Sequence, residues 1–305
     1  MHVKTKPIMR NFGVEVLNVD LSNPVSSSVF AEIRALYFEH SLLLFRGQLL
    51  TPADQARLAH QLGQPKIETR KQFNLVDHPE VSTLGNIEDA TGKPLTFFVR
   101  GGFGWHTDGS VACHVDAATL LYAVEVPEEG GGTLFCSSAT AYEEVPLSIR
   151  DELCEVSMLC SFHAHNDPLY ESNPESFIQL TPTERAALPP VWHKVVQTHP
   201  VTGKHVFYLN LDPMKFSGIT RERGITLFNR ILEIATQPNL VYRHRWQPKE
   251  LIIWDNHAML HSGTLTDIYA TDRRLMHRSF VYTEPTERPI PNLEELNAIF
   301  MPNGI

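Results

Sequence analysis

Trp105-His106-Thr107-Asp108-Gly109 places an imidazole and a carboxylate two residues apart. On an extended strand, residues i and i+2 project to the same face. His106 and Asp108 can therefore grip one cation from one side without a bend in the backbone. A third ligand is offered by His261, at the end of Trp254-Asp255-Asn256-His257-Ala258-Met259-Leu260-His261. Two histidines and one carboxylate on one face of a metal ion leave the opposite positions open, the arrangement in which non-haem Fe(II) receives a co-substrate and O2. The same donors also suit zinc in a hydrolase, although no general base stands beside them. The chain holds 15 histidines, so a distant third ligand is easily found and the triplet needs support from its surroundings.

Two features supply it. Arg273-Arg274-Leu275-Met276-His277-Arg278 follows the third ligand. Strand alternation puts Arg274, Met276 and Arg278 on one face and Arg273, Leu275 and His277 on the other. Arginines turned into an interior need an anion, because an unpaired buried charge is very costly. A bound dicarboxylate would provide one through a bidentate contact. An edge strand with solvated arginines is the plainer alternative. Thr133, just after Gly130-Gly131-Gly132, could donate its hydroxyl to the same carboxylate, or be an ordinary β-branched strand residue.

A further level of likeness comes from the order of several blocks. Trp-His-Thr-Asp at 105–108 precedes Ala-Thr-Leu-Leu-Tyr-Ala at 118–123, Gly-Gly-Thr-Leu-Phe at 131–135 and His-Pro-Val-Thr-Gly at 199–203. Arg-Trp-Gln-Pro at 245–248, Trp-Asp-Asn at 254–256 with His261, and Arg-Arg-Leu-Met-His-Arg at 273–278 follow. This series, over roughly residues 10–283, resembles the taurine dioxygenase family, which includes 2,4-dichlorophenoxyacetate dioxygenases and alkylsulfatases. The resemblance implies Fe(II), 2-oxoglutarate as co-substrate, and O2 on a double-stranded β-helix. It implies His106, Asp108 and His261 as metal ligands, and Thr133 and Arg274 as holders of the far carboxylate of 2-oxoglutarate. Arg278 matches an arginine that meets the substrate's anionic group, and a carboxylate at Asp108 favours hydroxylation over halogenation. His257 falls out of phase with the ligand position and is read either as supporting the ligands from behind or as structural. The expected reaction hydroxylates a small anionic molecule, such as a sulfonate, alkyl sulfate, aryloxyalkanoate or amino-acid-like compound, and releases succinate and CO2. Desaturation or C–N oxidation is the alternative outcome; a zinc hydrolase or a non-catalytic jelly-roll binding protein is the alternative of another kind. Residues 66–104 and 162–173 depart from the family pattern. Asn86 and Phe162, within these segments, are candidates for substrate contact, as is the stretch Ser161–Asn166.

The elements that must position these groups read as mainly β with flanking helices, a double-sheet jelly-roll core. Residues 13–21 alternate like a half-buried strand. A helix is expected from about Ser26 to Glu39, with Val29, Ile33, Leu36 and Tyr37 on one face. Another opens at Thr51-Pro52, with Thr51 as N-cap, and ends near Leu62-Gly63. Strands are expected at 41–46, 120–124, 133–136, 251–254 and 275–282. Residues 192–196 and 205–209 flank a turn at 199–203, and short helices fall at 139–151 and 182–188. An amphipathic helix spans 220–237. The segment 66–104, including Asn86 and Phe97-Phe98-Val99, is either part of a lid or plain surface loop.

The 305 residues, 42% of them hydrophobic, suffice for a full core and are read as one dioxygenase domain, core about 10–283 with a tail at 284–305. A net charge of −9 argues against nucleic acid as partner. No apolar run approaches the roughly 20 residues of a membrane span, and Met1–Thr5 lacks the apolar stretch of a secretory leader. Cys113, Cys136, Cys154 and Cys160 show no CxxC spacing and are read as reduced thiols of a cytoplasmic protein. The partner is a small-molecule substrate, with no nucleic acid and no membrane, and relatives of this kind form homo-oligomers, dimers or tetramers.

Overall fold

Leu42, Leu43, Leu44 and Phe45 are all buried, as are all five residues of Leu251–Asp255, so these strands lie in the middle of a sheet covered on both faces. In the computed structural model, which describes residues 2–68, 70–97, 104–111, 117–172, 174, 179–210, 213–264 and 272–282, they join an eight-stranded sheet. Its order is β1 (Thr5–Pro7), β2 (Val14–Val16), β3 (Leu42–Phe45), β14 (Leu251–Asp255), β6 (Ala118–Glu125), β16 (Leu275–Tyr282) and β4 (Gln64–Lys66), with β5 (Ser82–Gly85) also on β16. Only β2 and β3 run parallel among these pairs. A three-stranded sheet, β13 (Val241–His244), β7 (Thr133–Ser137) and β15 (Met259–Gly263), carries Thr133 and His261.

Alternation sorts the side chains into two layers. Leu43, Phe45, Leu120 and Ile253 pack with Val29, Ile33 and Tyr37 of α1 (Ser27–His40) and Leu58 of α2 (Pro52–Leu62). From the neighbouring positions, Leu42, Leu44, Leu121 and Met276 pack with Phe135 of β7 and with Trp254. Beyond β7, Cys136 and Leu260 join a third body of core around Phe228 and Ile231 of α7 (Arg221–Ala235) and Ala141 of α3 (Ser138–Glu144). The helix starts follow local chemistry. Ser26 caps α1, and in α2 the Thr51 hydroxyl accepts from Asp54 N while the Asp54 carboxylate accepts from Thr51 N, a reciprocal capping box.

Three expectations change. Residues 13–21 form a strand only at Val14–Val16; Val19 and Leu21 are buried without pairing as strand. The run 192–196 is not one strand but two. β9 (Val191–Lys194) pairs with β8 (Ser157–Cys160), which also holds β12 (Lys215–Phe216), while β10 (Val196–Thr198) forms the hairpin with β11 (His205–Phe207). The backbone changes sheets at Val195, whose N–H donates to Val156 O. Residues 162–172 form a helix, α5 (Phe162–Ser172), following α4 (Leu147–Leu153) and preceding α6 (Pro182–Ala186). Phe98, Val99, Cys113 and the tail 284–305 lie outside the described residues. Among the described residues, no helix is long and apolar enough to cross a membrane.

Candidate active site

His106 and His261 are brought together by backbone. Each donates its N–H to the other's carbonyl at 3.0 Å, an antiparallel bridge that fixes the two imidazoles side by side with ring centroids 4.3 Å apart. Asp108 Oδ1 lies 3.7 Å from His106 Nε2 and 3.6 Å from His261 Nε2. The three side chains thus present one donor atom each to a common point. Their orientations are held from behind. His106 Nδ1 lies 2.9 Å from Gly104 O; a carbonyl only accepts, so Nδ1 carries the proton and Nε2 keeps its lone pair. Asp108 Oδ2 accepts from Thr119 Oγ1 at 2.9 Å, and Thr119 Oγ1 accepts from Asn256 Nδ2 at 2.9 Å. That chain occupies Oδ2 and leaves Oδ1 facing the histidines. The His261 ring packs against Trp254, 4.9 Å between centroids, and Phe135 at 6.3 Å.

The protonation states suit a cation. Burial pushes the His261 imidazole down to about 3, keeping it neutral. Burial alone would raise the Asp108 carboxyl, but His261, His106 and Arg278 together hold it well below the usual carboxylate range. Neutral imidazole and ionised carboxylate are the forms a metal binds.

Arg274 and Arg278 face the same cavity as these ligands, of about 230 Å³, while Arg273 points outward to Glu125. The expected alternation of β16 is therefore met. Arg274 is 2% exposed. Its Nε and Nη1 have no hydrogen-bond partner, and burial draws its pKa down to about 10. A guanidinium in that state lacks its anion. Thr133 lines the cavity too. Its Oγ1 accepts from Trp246 Nε1 at 3.0 Å, which leaves the hydroxyl proton available to an acceptor.

Asn86 stands elsewhere than expected. It is not among the residues lining the cavity. Its Nδ2 donates to Asp272 O at 2.6 Å and its Oδ1 accepts from Arg274 N at 2.7 Å, so its short amide splints the start of β16. Phe162 does line the cavity, with His165, Asn166 and Leu169 of α5. Sequence gives no role to Thr119 and Asn256, which orient Asp108 from behind, or to Glu68 and Arg70 on the cavity wall beside Phe97. The available signal for the last group was the charge alternation Lys66, Glu68, Arg70 in a segment leaving β4. The His199-Pro200-Val201-Thr202-Gly203 block is structural: buried His199 Nε2 donates to Asp255 Oδ2 at 2.8 Å, and its Nδ1 accepts from Val201 N and Thr202 N. His257 packs at 5.5 Å from His199, away from the triad, consistent with its structural reading.

The family model of the "Taurine catabolism dioxygenase TauD, TfdA family" matches residues 4–280. The chain belongs to this family. An alpha-ketoglutarate-dependent 2,4-dichlorophenoxyacetate dioxygenase of Cupriavidus pinatubonensis is 31% identical, over 92% of this chain and 97% of its own. An alkylsulfatase of Acinetobacter baylyi is 26% identical over 93% and 86%. The crystal structure of a taurine dioxygenase from Burkholderia xenovorans superposes with a TM-score of 0.74 at 25% identity, covering 94% and 95%. As a member of the TauD, TfdA family, the protein is a 2-oxoglutarate-dependent dioxygenase, an oxidoreductase that works with Fe(II), 2-oxoglutarate and O2 on a small molecule.

Proposed function

We propose that His106, Asp108 and His261 hold the Fe(II), and that Arg274 and Thr133 hold the far carboxylate of 2-oxoglutarate. The observation that carries this reading is Arg274, a fully buried guanidinium with two nitrogens unpartnered in the cavity that the triad lines. A carboxylate ending a short diacid answers that vacancy with charge-assisted bonds. Iron bound there would supply activation of O2, with 2-oxoglutarate giving up two electrons and leaving as succinate and CO2 while one oxygen atom enters a substrate C–H bond.

The protein's own groups position and shield. The Asn256–Thr119 chain commits Oδ2 of Asp108 and keeps that ligand to one oxygen. Trp246 fixes the Thr133 hydroxyl, and Asn86 anchors the backbone from which Arg274 projects. Phe162 and Leu169 of α5 and Leu84 of β5 line the cavity and exclude water from it. The substrate is a small anionic molecule, a sulfonate, alkyl sulfate, aryloxyalkanoate or amino-acid-like compound, received on the wall that carries Phe162 and Arg278. The names of the dichlorophenoxyacetate and taurine dioxygenases and the alkylsulfatase support that class. If the hydroxylated carbon also bears sulfonate, sulfate or an aryl ether oxygen, the product breaks down to a carbonyl compound. We read the eight-stranded sheet and the three-stranded sheet β13-β7-β15 as the halves of a jelly-roll core in one dioxygenase domain, and the protein as a cytoplasmic homo-oligomer.

Succinate release with Fe(II), measured over a panel of sulfonates, alkyl sulfates, aryloxyalkanoates and amino acids, tests the reading. His106→Ala is expected to abolish Fe(II) binding and turnover together. Wild-type turnover by that variant would refute the ligand assignment.

A further inference from the structure

The cavity holds a third buried guanidinium that the roles above leave unused. Arg70 is 8% exposed and lines the same cavity. Its Cζ lies 4.7 Å from the centroid of Phe97 and 5.4 Å from that of Phe162 at the start of α5, so two aromatic rings lie against it. Its Nη2 donates to Asn166 Oδ1 at 3.2 Å, a neutral acceptor. Among the described residues, no carboxylate forms an ion pair with Arg70. Arg278 differs. Its Nη2 donates to Glu68 Oε1 at 2.5 Å, and its Cζ sits 4.4 Å over Phe280 and 5.9 Å from the same Phe97 ring that Arg70 touches.

The two arginines therefore have different capacities. Arg278 already has its counter-ion on Nη2, and a substrate anion arriving at its unpartnered Nε meets a guanidinium whose charge Glu68 already offsets. Among the described residues Arg70 has no directly paired anion; burial draws its pKa down, opposed through space by Glu184 and Glu68. A buried cation lacking a counter-ion gains most from an incoming one, and a guanidinium held against two rings offers its remaining N–H donors to a planar or tetrahedral oxyanion.

We propose that the substrate's anionic group docks on Arg70, and that Glu68 is a specificity residue that reserves Arg278 by neutralising it. The class implied is a small organic monoanion, a carboxylate, sulfonate or sulfate ester. Its body is apolar, because Phe73, Leu84, Val111, Leu121 and Leu169 line the same cavity. This rests on the oxygenase reading of the site and refines where its substrate sits.

The experiment uses wild type, Arg70→Met, Arg70→Lys, Arg278→Met and Glu68→Gln, each loaded with Mn(II) and 2-oxoglutarate and titrated calorimetrically with phenoxyacetate and with hexyl sulfate. Binding of 2-oxoglutarate to each Mn(II) protein is measured first. Its absence in wild type would sink the oxygenase reading itself. With that step intact, Arg70→Met is expected to weaken both anions about tenfold or more, the loss of one charge-assisted contact. Arg70→Lys should recover part of the affinity, and Glu68→Gln should tighten both anions by freeing Arg278. The proposal is overturned if Arg278→Met weakens binding more than Arg70→Met, if Arg70→Met has no effect, or if wild type binds neither anion at millimolar concentration.

Discussion

Thr119 shows how much one hydroxyl can decide. It takes a hydrogen bond from Asn256 and gives one to Asp108, so its polarity is set, and the Asp108 oxygen left facing the two histidines is chosen by a residue outside the triad. Thr119→Val keeps the shape and removes the hydroxyl. It is expected to weaken Fe(II) affinity by about 10- to 100-fold, read by metal titration, with fold intact by circular dichroism; Thr119→Ser should restore most of it. An affinity equal to wild type would show that Asp108 needs no such support. The thiols make a second residue-scale test. Cys154 is exposed, whereas Cys136 and Cys160 are buried. Burial pushes the Cys160 thiol up to about 12 and Cys136 higher still, and only a thiolate reacts readily. Alkylation of the native protein at pH 8, mapped by mass spectrometry, should mark Cys154 and leave those two unmodified.

At the scale of elements, the site depends on how β5 meets β16. Gly85 has φ +151, and a Cβ there would collide with the carbonyl oxygen of Arg274. Gly85→Ala must push the two strands apart beside the arginine proposed for 2-oxoglutarate. The expected result is weaker 2-oxoglutarate binding, with Fe(II) binding by His106, Asp108 and His261 retained; calorimetry for the two ligands separates the effects. The α2 capping box gives a pH test. Burial would raise the Asp54 carboxyl, but bonds from the Thr51 hydroxyl and N–H and from Arg57 outweigh it and hold the pKa below its ordinary 3.8. A depressed carboxyl stabilises above the unfolded pKa and loses that contribution as pH falls through the folded value. Asp54→Ala should therefore lower stability by about 1 kcal/mol at pH 7, with the difference from wild type shrinking below pH 3.8 in denaturant titrations. What was legible among the elements follows from range. β16 and α7 were readable because their alternation and helical stripes are local and uninterrupted. The break at Val195 was not, since residues on either side continue one apolar pattern and only the competing partners, β8 and β11, divide it. α5 was hidden by Pro168 inside the helix, which reads as a turn in sequence.

For the molecule as a whole, stability and occupancy are linked. The triad is assembled from the segment before β6 and from β15, and Arg274 stands just before β16, the last described strand. Ligands that bind only the folded form raise stability by mass action, about 2.7 kcal/mol at one hundred times the dissociation constant. Thermal unfolding should therefore rise with Mn(II), and rise again with 2-oxoglutarate. Arg274→Met should keep the first increment and lose the second; an undiminished second increment would remove Arg274 from the binding role. The cluster of His106, Asp108 and His261 could be read from sequence because His106 and Asp108 are two residues apart and His261 sits in a block of distinctive order, although the structure puts His106 on an isolated bridge and Asp108 in a turn rather than on a strand. Glu68 and Arg70 could not, because the meaning of a charge in a loop depends on which buried group it faces, and Arg278 lies far along the chain.

The reciprocal pair of backbone bonds between His106 and His261 has a bearing on biosynthesis. The proposed ligands come from the middle and last thirds of the polypeptide and meet only after the ribosome has delivered β15, so a nascent or prematurely ended chain has at most two of the three donors. Iron capture therefore comes late in maturation, and a population of truncated products should stay metal-free even where the full-length enzyme is saturated.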